Sequence, residues 1–123
     1  MIDVIVKEAL HAARLLLILL ISGGFLGLGM LKLVRHPGMV GAFQSWNFPD
    51  YSIYIVGVIE MTLSILIFYQ PTRKNAIIFG VLMMCGAFTV HLIFSQFDQL
   101  YGPVAMLSML ISLLVIEKNL KKN

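Results

Sequence analysis

The sequence predicts an all-α protein: an integral membrane four-helix bundle with both termini cytoplasmic. Three observations predict it. The 123 residues are 59% hydrophobic and only 12% charged, with a mean hydropathy of +0.93, too apolar for an ordinary soluble domain of this length. Four long, nearly uncharged runs recur, at about 12–34, 51–69, 75–94 and 101–116. Lysine and arginine gather in alternate connections between them. No linker, low-complexity tract or repeat divides the chain, so 1–123 reads as a single transmembrane domain.

Each run can be justified in turn. The first follows MIDVIVKEALHAAR and could pass for the core of a secretion signal. It continues past Gly24 to Leu31, and no small-x-small cleavage pattern follows a short apolar core, so the expectation is a retained helix. The outer loop, 35–50, carries Pro37, Gly38, Phe43, Trp46, Phe48 and Pro49. Aromatic and weakly charged, it is expected at headgroup level, partly helical over 39–45, where it could act as a lid. The second span ends at YQPTRKN, where Pro71 cannot continue a helix and Thr72 or Asn75 can cap the next. The third contains the single cysteine, Cys85, which excludes an internal disulfide and any CxxC redox pair. The fourth is short and is expected between wet ends at 99–103 and 117–122. A hydrocarbon core about 30 Å thick takes roughly 20 helical residues, and lipid admits only helices or closed barrels. These runs lack two-residue alternation, which argues against a barrel.

Basic residues set the orientation. Lys7, Arg14, Arg73, Lys74, Lys118, Lys121 and Lys122 fall on one side, and only Lys32 and Arg35 on the other. Both termini are therefore expected in the cytoplasm of a bacterial cell, with the 35–50 loop outside its inner membrane. The net charge of +3 then reflects topology and contact with lipid headgroups, and gives no reason to invoke nucleic acid.

Glu60 stands alone in the second span. It follows Tyr51 by nine residues, about 13 Å at 1.5 Å per residue, close to the midplane. His91 lies about 8 Å below the outer boundary by the same reckoning, and Lys32 near the outer end of the first span. Cα–Cβ bonds tilt toward a helix's N-terminus, so Lys32 and His91 lean inward while Glu60 leans outward. The three are expected to converge in the outer half of the bundle. A carboxylate in hydrocarbon costs about 2.5 kcal/mol or more, so it must pair, take up a proton or touch water. Lys32 is the nearest cation, its stem long enough to reach, and Arg35 is the second choice. Two readings stand at this point. The pair fixes helix register, or with His91 it lines a ligand or proton pathway, as intramembrane ionisable groups commonly do.

Other features rank lower. Gly23 and Gly27 make a GxxxG spacing, expected to give tight packing within the bundle ahead of a homodimer contact. Gly57, Glu60 and Ser64 form a small and polar stripe suited to a crowded interior. Met83, Met84, Met106 and Met109 are apolar fill first and a pliable ligand wall second. His11, His36 and His91 have no metal-ligand spacing, so no metal site is expected.

The order Gly29-Met30-Leu31-Lys32-Leu33, His36-Pro37-Gly38, Phe43, Pro49, Gly57-Val58-Ile59-Glu60, Thr72-Arg73 and His91 resembles that of the small four-helix DoxX and DoxX-like membrane proteins, over about 15–116. The resemblance implies that Lys32 and Glu60 match the family's helix-one lysine and helix-two glutamate. It also implies a link to quinones: the related DoxD type is a subunit of a thiosulfate:quinone oxidoreductase, and other members are associated with resistance to quinones and catechols. More distant members resemble assembly chaperones for membrane proteins. The cysteine pair of some relatives is absent here, which argues against thiol–disulfide chemistry.

Two functions follow as expectations. In the first, a quinone or similar lipophilic molecule binds in the outer-leaflet half. Lys32 and His91 hydrogen-bond its carbonyl oxygen, Glu60 orients Lys32 or relays a proton, Arg35 stands beside them, and Phe25, Trp46 and Phe88 wall the ring. Any oxidoreduction would need a redox partner subunit, because the chain carries no evident cofactor of its own; whether it is an enzyme stays open. In the second, the chain is a non-enzymatic subunit or assembly factor for another membrane protein. Proton-coupled transport ranks last, since four helices without inverted repeats leave little room for alternating access unless the chain dimerises.

Overall fold

The computed structural model describes residues 1–122, so Asn123 and the side chain of the expected tail cation Lys122 lie outside it. Among the described residues every regular element is helical: α1 Ile2–Leu33, α2 Pro37–Ser45, α3 Ser52–Phe68, α4 Arg73–Ile93 and α5 Tyr101–Lys122, with 3₁₀ turns at Gln70–Thr72 and Phe97–Gln99. α1, α4 and α5 are long and apolar enough to cross a membrane, and α3 is a shorter apolar helix of 17 residues.

Charge marked the expected edge of the hydrocarbon and not the edge of the helix. α1 begins at Ile2, ten residues before the expected start at 12, because Lys7, Glu8, His11 and Arg14 can be carried on a helix that leaves the lipid. α5 likewise runs on through Glu117 to Lys122. At its other end Pro103 is buried, not wet as expected. The turn between α3 and α4 also differs in detail. Thr72 stands at the N-cap of α4 without a side-chain capping bond. Its hydroxyl instead donates to Leu66 O at 2.7 Å and Tyr69 O at 3.1 Å, satisfying orphan carbonyls at the end of α3. Asn75 lies inside α4.

Three helices end by one device. α1, α2 and α4 are each followed by a left-handed residue, Arg35, Asn47 and Ser95, with φ of 57°, 58° and 55°. In each case two N–H groups fold back onto the last turn, as when His36 N donates to Leu31 O and Gln96 N donates to His91 O. This is the Schellman closure, here without glycine. α2 opens on Pro37 at its first position, and the His36 ring accepts from Gly38 N at 3.2 Å, so both ends of this short helix are fixed locally.

α1 packs against α3 and α5, and α4 against both α3 and α5, while α2 rests on α1 and α3. The core gathers Ile18, Ile21 and Phe25 of α1, Leu63 and Ile67 of α3, Ala76, Ile77 and Met84 of α4, and Met106, Leu110 and Leu113 of α5. Large apolar side chains also cover the outside, including Leu16, Leu19, Ile55, Ile65, Phe79, Leu82 and Ile111. An apolar exterior this continuous is a surface for lipid. Lipid is as apolar as leucine, so close packing and polar links must hold the helices together.

The packing face of α1 is Ser22, Phe25, Gly29 and Lys32, spaced by three and four residues. Gly23 and Gly27 fall off that stripe. A Cβ on either would meet nothing within 4 Å, so the expected contact through this pair inside the bundle is not made. Gly24, Gly29 and Gly57 make the close approaches instead.

Candidate functional site

The crossing of α1 over α3 sets the first polar centre. A Cβ on Gly29 would lie 2.8 Å from Gly57 O and 2.7 Å from Met61 Cγ, and one on Gly57 would lie 3.1 Å from Gly29 O. Only bare backbone permits this approach. One turn further along each helix, Lys32 Nζ lies 2.6 Å from Glu60 Oε1, with side chains 10% and 3% exposed. Charge makes this contact without hydrogen-bond alignment, since Glu60 Oε1 is buried with no hydrogen-bond partner. Ser64 Oγ adds a link between the same helices by donating to Ser22 O at 2.7 Å. The pair is thus sealed in a tight seam, where loss of one member would strand the other at a cost of about 3–5 kcal/mol.

A second polar centre opens outward. α2 on one side, and the end of α4 with the connection after it on the other, flank an open cleft of about 440 Å³, lined by Gly38, Gly41, Ala42, Ser45 and Trp46 on the first side and by His91, Gln96, Asp98 and Gln99 on the second. The end of α4 assembles it. His91 and Gln96 are the third-last helical position and the second residue beyond the cap, which the Schellman closure brings together. Their side chains complete the contact, with His91 Nδ1 at 2.9 Å from Gln96 Oε1. Trp46 Nε1 donates to the same oxygen at 3.0 Å, and the Trp46 and His91 rings meet edge to face at 5.4 Å. Phe43, buried beneath, and Phe48 hold the indole from behind, with centroids 5.2 Å and 5.6 Å from it.

Hydrogen-bond logic fixes the proton in this cluster. An indole N–H can only donate, so the Gln96 atom facing it is the carbonyl oxygen. That oxygen cannot donate to His91, so Nδ1 must carry the hydrogen. In the neutral ring the lone pair then lies on Nε2. The Gln96 NH₂ group remains a donor.

The sequence-predicted residues therefore divide. Lys32 and Glu60 come together as expected. His91 does not join them, and the expected three-way convergence is replaced by separate surroundings. α4 ends at Ile93, which puts His91 in its last turn, where the nearest partners come from α2 and the following loop. Trp46 lies beside His91. Arg35 is a partner of neither centre: it makes a two-nitrogen contact with Asp50 at 3.0 and 3.4 Å, reaches Tyr54 Oη at 3.4 Å and lies over that ring. The Asp50 contact, then the Tyr54 one, raises its already high pKa. Phe25 is fully buried in the core, close to Gly80, and Phe88 is half-buried outside the cleft lining, so neither walls a ligand there. Sequence reading missed Gln96. Its signal was modest: a polar residue two places past the end of an apolar helix, where the chain must turn back. Among the described residues no three His, Cys, Asp or Glu side chains group to hold a metal.

No curated protein and no solved structure matches the chain. The model of the DoxX-like family does match it, over residues 15–113. That span includes both polar centres, all of α2, α3 and α4 and the larger part of α1 and α5, and with the lipid-facing exterior it describes a multi-pass membrane protein. The chain belongs to the DoxX-like family.

Proposed function

We propose that this protein binds a neutral, oxygen-bearing aromatic molecule of the quinone or quinol class in the outer cleft, while the Lys32–Glu60 pair holds α1 to α3 without touching the ligand. One observation carries the reading: Trp46 and His91 share Gln96 Oε1. This leaves His91 Nε2 as an acceptor and the Gln96 amide as a donor beside the cleft. A ring hydroxyl can donate to the first, a ring carbonyl can accept from the second, and the Trp46 ring offers an apolar surface. The lining contains no lysine or arginine, which favours a neutral ligand over an anion. Its volume lies in the range that takes small molecules. Electrons for any redox step would come from or go to a partner subunit.

The same reading has α1, α3, α4 and α5 all crossing a bacterial inner membrane as a four-helix bundle, with both termini cytoplasmic and the cleft outside. Charge supports it. Arg14 and Arg73 meet at one end, where Lys7, Lys74, Lys118 and Lys121 are exposed. At the other end Lys32 is neutralised by Glu60 and Arg35 by Asp50. α3, about 26 Å long, can cross with slight local thinning of the bilayer.

Trp46 is the only tryptophan, so its fluorescence reports on the cleft alone. Titration with short-chain menaquinone and ubiquinone analogues should quench it saturably in the wild type and far less in His91→Phe. Linear, non-saturating quenching that is equal in both proteins would contradict the proposal.

A further inference from the structure

At the end of the molecule opposite the cleft, charged side chains of α1, α4 and α5 gather against the last carbonyls of α3. Arg73 is 6% exposed. Its Nε donates to Ile67 O at 2.7 Å and its Nη2 to Phe68 O at 3.0 Å, closing the last turn of α3, while Nη1 donates to Glu117 Oε1 at 3.1 Å. Arg14 Nε donates to that same oxygen at 2.7 Å. Two guanidinium groups share one carboxylate oxygen, so one positive charge is left without a counter-charge at a half-buried site.

The two arginines differ in what they have left to give. Every nitrogen of Arg73 is engaged. Arg14 uses Nε alone, its two Nη groups have no partner among the described residues, and its side chain is 27% exposed. Lys7, His11 and Arg14 are spaced by four and three residues and so form one stripe of α1. α5 runs antiparallel to α1, with Met106 against Gly24 and Glu117 against Arg14, and Lys121 lies one turn beyond Glu117, alongside that stripe. Leu15 and Leu16, next to Arg14 in sequence, are exposed parts of the lipid-facing belt.

We propose that Arg14 is the headgroup site for an anionic phospholipid. The free fork of the guanidinium takes two phosphate oxygens, a geometry to which arginine is suited and lysine is not. The phosphate charge balances the surplus cation, and the acyl chains lie on the apolar belt beside it. The inference rests on the multi-pass membrane character of the chain and is independent of the cleft.

The test uses the full chain in detergent, titrated with short-chain phosphatidylglycerol, short-chain phosphatidylcholine or inorganic phosphate, with thermal stability as the readout. Phosphatidylglycerol should stabilise the wild type saturably, and the other two additions should not at the same concentration. Arg14→Gln should weaken the response about fivefold. Arg14→Lys, which keeps the charge beside Glu117 and lacks the fork, guards against simple misfolding and should give an intermediate response. Lys74→Gln removes the same charge from an exposed side chain at the same end that makes no contact with Glu117, and should respond as wild type. An equal loss in Lys74→Gln and Arg14→Gln would reduce the effect to diffuse charge and overturn the site. Equal stabilisation by phosphatidylcholine, or by inorganic phosphate, would overturn it as well.

Discussion

The two polar centres differ in access more than in chemistry. Lys32 and Glu60 carry full charges, yet they sit buried in a seam where two glycines bring backbones into contact. Trp46, His91 and Gln96 carry no obligatory charge, yet they face an open space of about 440 Å³. In lipid, a buried charge demands a partner first and a purpose second. Its presence marks where helices must lock, and the place for a ligand is where unspent donors and acceptors meet room.

The contrast breaks most sharply at the sealed pair. Glu60→Ala leaves the Lys32 ammonium alone in the seam and should cost about 3–5 kcal/mol, read from denaturation in detergent. The double change Lys32→Met with Glu60→Leu should recover most of that loss, because two apolar side chains need no counter-charge. Next comes the glycine crossing that creates the seam. Gly29→Ala would drive a methyl group into the Gly57 carbonyl and the Met61 backbone N, costing about 1–3 kcal/mol. Gly23→Ala and Gly27→Ala meet open space and should be neutral or raise stability by up to about 1 kcal/mol through helix propensity. At the open centre, Gln96→Leu removes an acceptor from two half-buried donors and should cost only about 1 kcal/mol of stability. Cys85→Ala, at an exposed position on α4, should fall within about 0.5 kcal/mol of wild type. Equal tolerance of Glu60→Ala and Cys85→Ala would erase the distinction between a sealed centre and a plain surface.

Much of this fold was legible in the sequence, for reasons that hold residue by residue. The four apolar runs became α1, α3, α4 and α5, since hydrocarbon thickness dictates run length, the stretch expected to be helical over 39–45 became α2, two residues longer at its start, and the Pro71 turn fell where proline requires it. The meeting of Lys32 with Glu60 followed from Cβ tilt on antiparallel helices. What failed had one common cause: rotation of a side chain about its helix axis is set by neighbours that a single chain does not reveal. Gly23 and Gly27 carry the right spacing on the wrong face. His91 was assigned to the bundle interior, while the turn after Ile93 gave it a partner, Gln96, five residues on. Arg73 was read only as a marker of topology, although its three donor groups cap α3 and bind Glu117.

One measurement separates the two centres in function: the affinity of a short-chain menaquinone analogue, followed by Trp46 fluorescence, in Gln96→Leu and in the folded fraction of Glu60→Gln. The sealed-seam account predicts binding about tenfold weaker in Gln96→Leu, equivalent to ~1.4 kcal/mol, and within about twofold of wild type in Glu60→Gln. The opposite pattern, with Glu60→Gln losing the ligand and Gln96→Leu keeping it, would contradict it and return the site to the buried pair.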